Sequence, residues 1–570
     1  MLVLKKKVGQ ALADACAVAF PGASVPAPDD LSAMLEYPPD PKLGDLAFPC
    51  FRLSRSLRAA PPAIAAALAG TFACDEIRSA QTVGGYLNFF IDPAAYAVRV
   101  MSDIRSAGSN YGSPMCGKGK TVVLDYSSPN VAKPFHIGHL GTTVIGHSLK
   151  LLHQFAGYHC IGINHLGDWG TQFGKLIVAY RRWGSREEVE KKEIDELVRL
   201  YVRFHAEAEE NPALNDEARA EFSRLEAGDP ENTALWKWFI DISLREYRKT
   251  YALLGIDFDS YNGESFYTDK MPRQIEIMRE KNLLTLDDGA WVVNLDAYHM
   301  PVCLILKRDG STLYPTRDIA AAVYRQQTYH FDKCIYVTSA GQCLHFAQWF
   351  KVIELMGYDW ADRLVHVPYG TVSINGSKLA TRTGNVILLK DLFAAAIEKV
   401  RAIATEKNPD LENPDEIAEA VGVGAVVFHY LLNNRMRDIN FVLEDALSFD
   451  GNTGPYVQYT YARACSILAR ADGTAAFSAQ GLNEEELALV KVLARFPEAV
   501  RAALDAYEPS EITRYILDLC AAFNRFYHDC QILSCPDAQL RDARIAMTDA
   551  VRTVLGRALS LICMKTPEKI

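Results

Sequence analysis

A multidomain α/β chain is what this sequence predicts, with a small α+β module first, a parallel-sheet core interrupted by a helical insertion, and an all-helical bundle last. Three observations carry that expectation. The 570 residues exceed what one hydrophobic core organises, so about three or four domains of roughly 150 residues are expected. From Thr121 onward strand-like and helix-like segments alternate, the order that builds a parallel sheet with ligands at its carboxyl ends. After about Ile417 strand signals vanish and long helical patterns run on.

Residues 1 to about 110 mix a short amphipathic helix, a Pro-rich loop at Tyr37 to Pro41, an Ala-rich helix near Ile64 to Ala69 and a strand at Tyr86 to Ile91. They make a first domain over 1–112. The core over 113–400 begins with a strand at Thr121 to Tyr126, a helix after His136, a strand at His159 to His165 and a helix from Thr171. Between Arg186 and Leu254 the chain turns strongly charged, with Glu187 and Lys191, and Glu188 and Lys192, at i,i+4. Ile194, Leu197, Val198 and Tyr201 form one apolar stripe there, so about 185–255 reads as a helical insertion. Strand signals return at Ala290 to Leu295, Val302 to Lys307, Cys334 to Thr338 and Leu364 to Tyr369, which predicts that the sheet resumes. Helical patterns at Ala425 to Asn433, Tyr456 to Ala471, Glu484 to Ala506 and Asp542 to Met564 fill a third domain over 415–570.

Composition bounds the function classes. Forty-nine per cent apolar against 23% charged residues is ordinary globular usage, without a disorder bias. A net charge of -10 argues against blanket adhesion to nucleic acid but leaves room for a local basic channel. Thirteen cysteines without a Cys-x-x-Cys pair suit reduced thiols better than a disulfide framework or a zinc site. Lys5 to Lys7 before an alanine-rich stretch imitate a secretory signal, but Asp14 breaks the stretch and Ala15 to Phe20 is too short. With no apolar run of about 18 residues, a cytoplasmic protein without membrane spans is expected.

The strongest local signal is Ser128-Pro-Asn-Val-Ala-Lys-Pro-Phe-His-Ile-Gly-His139, which follows a strand and opens a helix. Gly138 lets a flat base approach the backbone, His136 and His139 share a helical side, and the helix dipole favours phosphate oxygens. The other reading of two histidines at i,i+3 is a helix cap.

Asp125 to His139 resembles the nucleotide-binding loop of class I aminoacyl-tRNA synthetases, and Ser-Pro-Asn-x-Ala-Lys-Pro resembles the arginyl branch in particular. Asn164-His-Leu-Gly-Asp-Trp-Gly-Thr-Gln-Phe-Gly174, Gly263-Glu-Ser-Phe-Tyr267, Tyr314-Pro-Thr-Arg-Asp-Ile-Ala-Ala321 and Gly454-Pro-Tyr-Val-Gln-Tyr-Thr-Tyr-Ala-Arg463 also resemble that branch, in order. The resemblance implies a Rossmann-like core and the substrates ATP with Mg²⁺, L-arginine and arginine tRNA. It also implies adenylate formation that requires tRNA, and we expect a monomer with no tightly bound metal.

The resemblance further implies that Ser128, His136, Gly138 and His139 contact ATP. The second ATP element of the class falls at Gly376 to Asn385, where only Lys378 matches and Thr381 replaces the second lysine; Lys133 is then the substitute cation. The alternative for Lys378 and Arg382 is a solvated loop. Arginine recognition needs acidic and neutral acceptors for five donors, and Asp318 and Tyr314 fit by chemistry and family position. Their other reading is an acid favoured by a helix N-terminus with the tyrosine in the core. Asn130 and Gln342 resemble further arginine contacts, and Ser128 and Asp125 holders of its backbone groups.

For tRNA, Tyr459 and Arg463 lie four apart and offer a stacking ring beside a cation, with Tyr527 added by family position. Tyr86 and Asn88 alternate along a strand and match the region that meets the tRNA elbow, unless they are ordinary strand packing. Two departures favour a rival reading, an inactive RNA-binding relative: the single lysine at 378, and Gly141 where the family usually has an arginine. A third reading is another class I enzyme, but cysteinyl enzymes want zinc-ligand cysteines and a small nucleotidyltransferase needs no helical bundle.

Overall fold

The computed structural model of the chain describes every residue except 375–376, 379–386, 408–411 and 472–475. The first module opens with α1 (Leu2–Ala19), which buries Leu4, Val8, Leu12, Ala15 and Cys16 at helical spacing. Its sheet is antiparallel, in the order β1 (Leu46–Pro49), β3 (Tyr86–Ile91), β2 (Ile77–Val83). Gly84, at φ +59°, supplies the left-handed residue of the β2–β3 turn. The Ala-rich helix is α2 (Pro61–Thr71), started by prolines whose missing N–H costs nothing in a first turn.

The core sheet is parallel throughout, in the order β10 (Leu364–Tyr369), β9 (Lys333–Ser339), β4 (Thr121–Asp125), β5 (His159–Ile163). Val122, Val123 and Leu124, and Cys334 to Val337, are buried runs, as strands covered on both faces require. Helix α3 (Leu140–Phe155) carries the chain from β4 to β5, and β9 lies on the other side of β4. The strand order therefore reverses beside β4, where a crevice opens at the carboxyl ends.

Two of the four later strands do not rejoin this sheet. β7 (Ala290–Val293) and β8 (Cys303–Leu306) pair with β6 (Leu284–Asp287) in a separate antiparallel sheet. The reason is local: Asp288 and Gly289 sit at φ 44° and 81°, a two-residue hairpin turn, and a hairpin pairs only antiparallel. Strands also do not end at Ile417. β13 (Ile439–Phe441) lies parallel to β11 (Val372–Ile374), whose other neighbour is β12 (Ser377–Lys378). Three residues are too few for a period to show in sequence.

After β5 comes α4 (Thr171–Trp183), then the insertion as α5 (Arg186–Lys192), α6 (Ile194–Glu210), α7 (Ala213–Glu226) and α8 (Pro230–Leu254). Asp229 caps α8 by accepting from Glu231 N and Asn232 N, and Gly255 ends it at φ 67°. Later helices are α9 (Tyr314–Tyr329), α10 (Cys343–Leu355), α11 (Pro414–Leu431) and α12 (Gly454–Leu468). The segment expected as one helix over Glu484 to Ala506 is two, α13 (Glu484–Leu493) and α14 (Phe496–Ala506). Pro497 in the first turn of the second has no N–H to continue the first. The bundle closes with α15 (Ser510–Asp529), which the sequence reading passed over, and α16 (Ala538–Leu561).

Candidate active site

The loop leaving β4 is held in an unusual backbone path. Ser127, Ser128 and Ala132 all have positive φ, at 69°, 45° and 57°, a costly conformation that the surroundings must enforce. The enforcing groups come from the residue after β5, from α3 and from the insertion. Ser127 Oγ lies 2.7 Å from Tyr251 Oη and 2.8 Å from Thr143 Oγ1, and Asn164 Nδ2 donates to the same tyrosine oxygen at 3.0 Å. Asn164 Oδ1 accepts from Ser128 N at 3.2 Å, so Tyr251, on α8, acts through Asn164 on the serine. Ser243 Oγ accepts from Ala132 N, and Tyr247 Oη lies within 2.9 Å of the carbonyls of both Asn130 and Lys133. The last helix of the insertion thus braces the loop.

Asp125 ends β4 and is turned toward its own chain. Oδ1 accepts from Ser128 Oγ at 2.8 Å, and Oδ2 stands 2.8 Å from Arg325 Nη2, whose side chain is 1% exposed. That buried pair, unmarked in sequence reasoning, engages both oxygens expected to hold a substrate's backbone groups.

At the far end of the loop the two histidines share a cap. Gly138 N donates to His136 Nδ1 at 3.0 Å, and His136 N faces His139 Nδ1 at 3.2 Å, with the rings 4.1 Å apart. A ring nitrogen that accepts a backbone N–H carries no proton, so on His136 Nε2 becomes the donor, while His139 Nδ1 stands 3.2 Å from the nitrogen and 3.3 Å from the carbonyl oxygen of His136. Burial pushes the pKa of His136 down to about 4 and that of His139 to about 3, which keeps both rings neutral. Capping and ligand contact are thus compatible uses of the two sides of the His136 ring. Gly138 and Ser128 remain partly exposed beside them.

The segment that follows the lysine loop runs against the histidine loop. Ile137 N donates to Ile387 O at 3.2 Å and Leu389 N to Phe135 O at 2.9 Å, so the chain after the lysine loop pairs with the histidine loop. Lys378 lies on β12 opposite Ser373. Thr381 and Arg382 lie outside the described residues. Lys133 is half-buried; desolvation lowers its pKa, and the opposite charge of Glu264 resists that.

Glu264 introduces an acidic recess that sequence reasoning quoted without assigning. Its Oε2 lies 2.6 Å from Arg317 Nη1, and burial pushes its pKa up to about 7 against the pull of that guanidinium. Asp318 lies within electrostatic range of it and accepts from His345 Nε2 at 2.6 Å. Asp168 accepts from Ser265 N at 2.8 Å and from Ser265 Oγ at 2.6 Å, and a Cβ at Gly263 would stand 2.5 Å from its carboxyl carbon. Tyr314 opens α9 and is 66% exposed, which rules out its being a core residue. Asn130 and Gln342 are exposed, the latter on the turn between β9 and α10. Around His165 the carboxylates of Asp125, Asp318 and Asp168 all exert their fields, so loop, recess and sheet edge form one locality.

The comparisons agree along the whole chain. Residues 2–91 match the family description "Arginyl tRNA synthetase N terminal domain", 101–443 "tRNA synthetases class I (R), catalytic domain", and 457–570 "DALR anticodon binding domain". The chain belongs to the arginyl-tRNA synthetase family. It is 51% identical over 545 residues to an arginine–tRNA ligase of Alkaliphilus metalliredigens, covering 95% of this chain and 96% of that one. Against the arginine–tRNA ligase of Clostridium perfringens it is 50% identical over 546 residues, covering 95% and 97%. The solved Thermus thermophilus arginyl-tRNA synthetase superposes with a TM-score of 0.85 at 25% identity, covering all of both chains.

Against that family background the departure at Gly141 has a physical explanation. A Cβ there would stand 2.1 Å from Tyr430 Oη and 3.1 Å from Tyr369 Cδ2, so two tyrosines occupy the space a larger residue would need. On the bundle, the Arg463 guanidinium lies 5.0 Å from the Tyr459 ring centroid and 4.8 Å from that of Tyr527. Asn524 Oδ1 accepts from Arg463 at 2.6 Å while its amide donates to Tyr456 Oη at 2.9 Å. Both outer rings are exposed, at 44% and 45%. The other RNA expectation is corrected in part. Tyr86 is exposed and meets Phe51 edge to face at 5.8 Å, but Asn88 is 3% exposed between two paired strands and has no surface to offer.

Proposed function

We propose that this chain is an arginine–tRNA ligase, joining L-arginine to its tRNA through an arginyl-adenylate made from ATP. The observation that carries the reading is Lys133, whose charge acts both on His139, in the neutral histidine pair at the start of α3, and on Glu264, which lies within electrostatic range of Asp318. In the first step the arginine carboxylate attacks the α-phosphorus and pyrophosphate leaves. In the second the terminal ribose hydroxyl of tRNA displaces AMP from the adenylate. Neither step needs a protein nucleophile, so rate comes from placement and charge.

His136 donates from Nε2 to phosphate oxygens and His139 contacts them, with Gly138 and Ser128 lining the nucleotide. Lys133 and Lys378 supply the cations for the leaving pyrophosphate, and Mg²⁺ arrives on the ATP. Asp318 and Tyr314 receive the guanidinium, Asn130 and Gln342 its neighbouring groups, and Glu264 adds a second carboxylate. Residues 1–112 meet the tRNA elbow through the Tyr86 surface, 113–400 hold the chemistry around the insertion at about 185–255, and 415–570 read the anticodon with Tyr459, Arg463 and Tyr527. The enzyme acts as a cytoplasmic monomer.

The decisive experiment is charging of total tRNA with each of the twenty amino acids, run beside pyrophosphate exchange with and without tRNA. Arginine alone should be charged, with exchange only when tRNA is present. Binding of tRNA without any charging would establish the inactive relative instead.

A further inference from the structure

Among the described residues the Asp318 side chain has one hydrogen-bond partner, His345, in the first turn of α10. The contact is short, 2.6 Å from Nε2 to Oδ2, and both side chains keep about a quarter of their surface. His345 is itself set in a wall. Its ring meets Phe346 edge to face at 5.5 Å, Phe346 stacks on His366 at 4.3 Å and 7°, and His366 Nε2 lies 2.8 Å from Thr338 Oγ1 on β9. A carboxylate on a helix turns freely about its last torsion unless something fixes it. A bidentate pair with a guanidinium demands one orientation.

We propose that His345 is a positioning residue for amino-acid recognition, fixing the plane of the Asp318 carboxylate through Nε2–H so that its remaining lone pairs face the guanidinium. The proposal rests on Asp318 being the guanidinium acceptor. His345 reaches the substrate through Asp318 and has no part in the phosphoryl chemistry. As a neutral imidazole it donates one hydrogen bond and leaves the aspartate charge whole. The groups that face this pair are His165 after β5, Cys303 on β8, Glu264 before the hairpin sheet, and His366 on β10 with Arg435 beyond it. None of these replaces the Nε2 donor.

The test is tRNA-dependent pyrophosphate exchange by the full-length enzyme, as wild type, His345→Ala, His345→Gln and Asp318→Asn. His345→Ala should raise KM for arginine about tenfold, the worth of a hydrogen bond to a charged group, with kcat and KM for ATP within about twofold. His345→Gln, which keeps a neutral donor, should recover most of that loss. Unchanged arginine KM in His345→Ala, or no recovery of arginine KM in His345→Gln, overturns the proposal. Should the alanine variant not fold, His345→Phe, which keeps the bulk of the ring without its donor, takes its place: a raised KM for arginine is expected, and an unchanged one overturns the proposal. Asp318→Asn separates the two levels: a large loss of arginine affinity there with no effect at His345 sinks this inference only, whereas normal arginine affinity in Asp318→Asn removes the guanidinium assignment beneath it.

Discussion

Replacing Tyr251 by phenylalanine deletes one oxygen and tests whether the insertion braces the active-site loop. That oxygen is within reach of two groups, Ser127 Oγ at 2.7 Å and Asn164 Nδ2 at 3.0 Å, and Asn164 is completely buried. Ser127 keeps Thr143 as a partner, but the amide N–H of Asn164 that faced the phenol loses that partner at a site closed to solvent. An unpaired buried donor costs about 1–3 kcal/mol, so the catalytic domain should lose about 2 kcal/mol. A domain of about 150–250 residues melts about 2–4 °C lower per kcal/mol, and this larger one somewhat less. Because Asn164 Oδ1 holds Ser128 N, looseness passes to the loop that carries His136, and kcat should fall with KM for ATP less affected. Thermal unfolding by circular dichroism and tRNA-dependent exchange measure the two effects. An unchanged melting point together with unchanged kcat would show that the tyrosine oxygen is a bystander.

Gly141→Ala forces a Cβ to within 2.1 Å of Tyr430 Oη and should destabilise by about 1–3 kcal/mol; adding Tyr430→Phe removes the closest atom and should restore part of it in the same melting assay. Tyr459→Ala removes an exposed ring stacked near Arg463 and should weaken tRNA binding by about 1–3 kcal/mol, read as a raised KM for tRNA with normal KM for arginine. Acid should destabilise the fold through buried neutral histidines. His136 and His153 are lowered to about 4 and His139 and His147 to about 3, so below about pH 6.5 the unfolded chain takes up protons that the folded chain refuses. Their stabilisation is complete above that pH and declines toward about pH 4, by up to about 1.4 kcal/mol per histidine per pH unit. Glu264, raised to about 7, works the other way, losing stability as pH rises, so urea midpoints should be compared in Glu264→Gln as well. Equal midpoints at about pH 5 and about pH 7 in that background would contradict the burial argument.

Sequence and structure divide along the range of the forces involved. The order of domains, the strand–loop–helix at Asp125 to His139, the hydrophobic stripe of the insertion and the aromatic–basic pair at Tyr459 and Arg463 were legible because each is set by residues close in the chain. Periods of two and 3.6, caps and turn residues act over one or two turns. The Asp288-Gly289 turn was legible too, and would have kept β7 and β8 out of the parallel sheet had its hairpin geometry been weighed.

The sequence by itself determined the family, the order of the modules and the residue types needed to bind a nucleotide and a guanidinium. Only the tertiary structure decided that Arg325 lies under Asp125, that Tyr251 reaches Ser127 from more than a hundred residues away, that Tyr430 fills the space over Gly141 and that Asn88 is covered. Those contacts join segments brought together by the burial of apolar surface, which fixes no particular pair in advance. Which polar groups then share the dry spaces left between them follows from the packed whole.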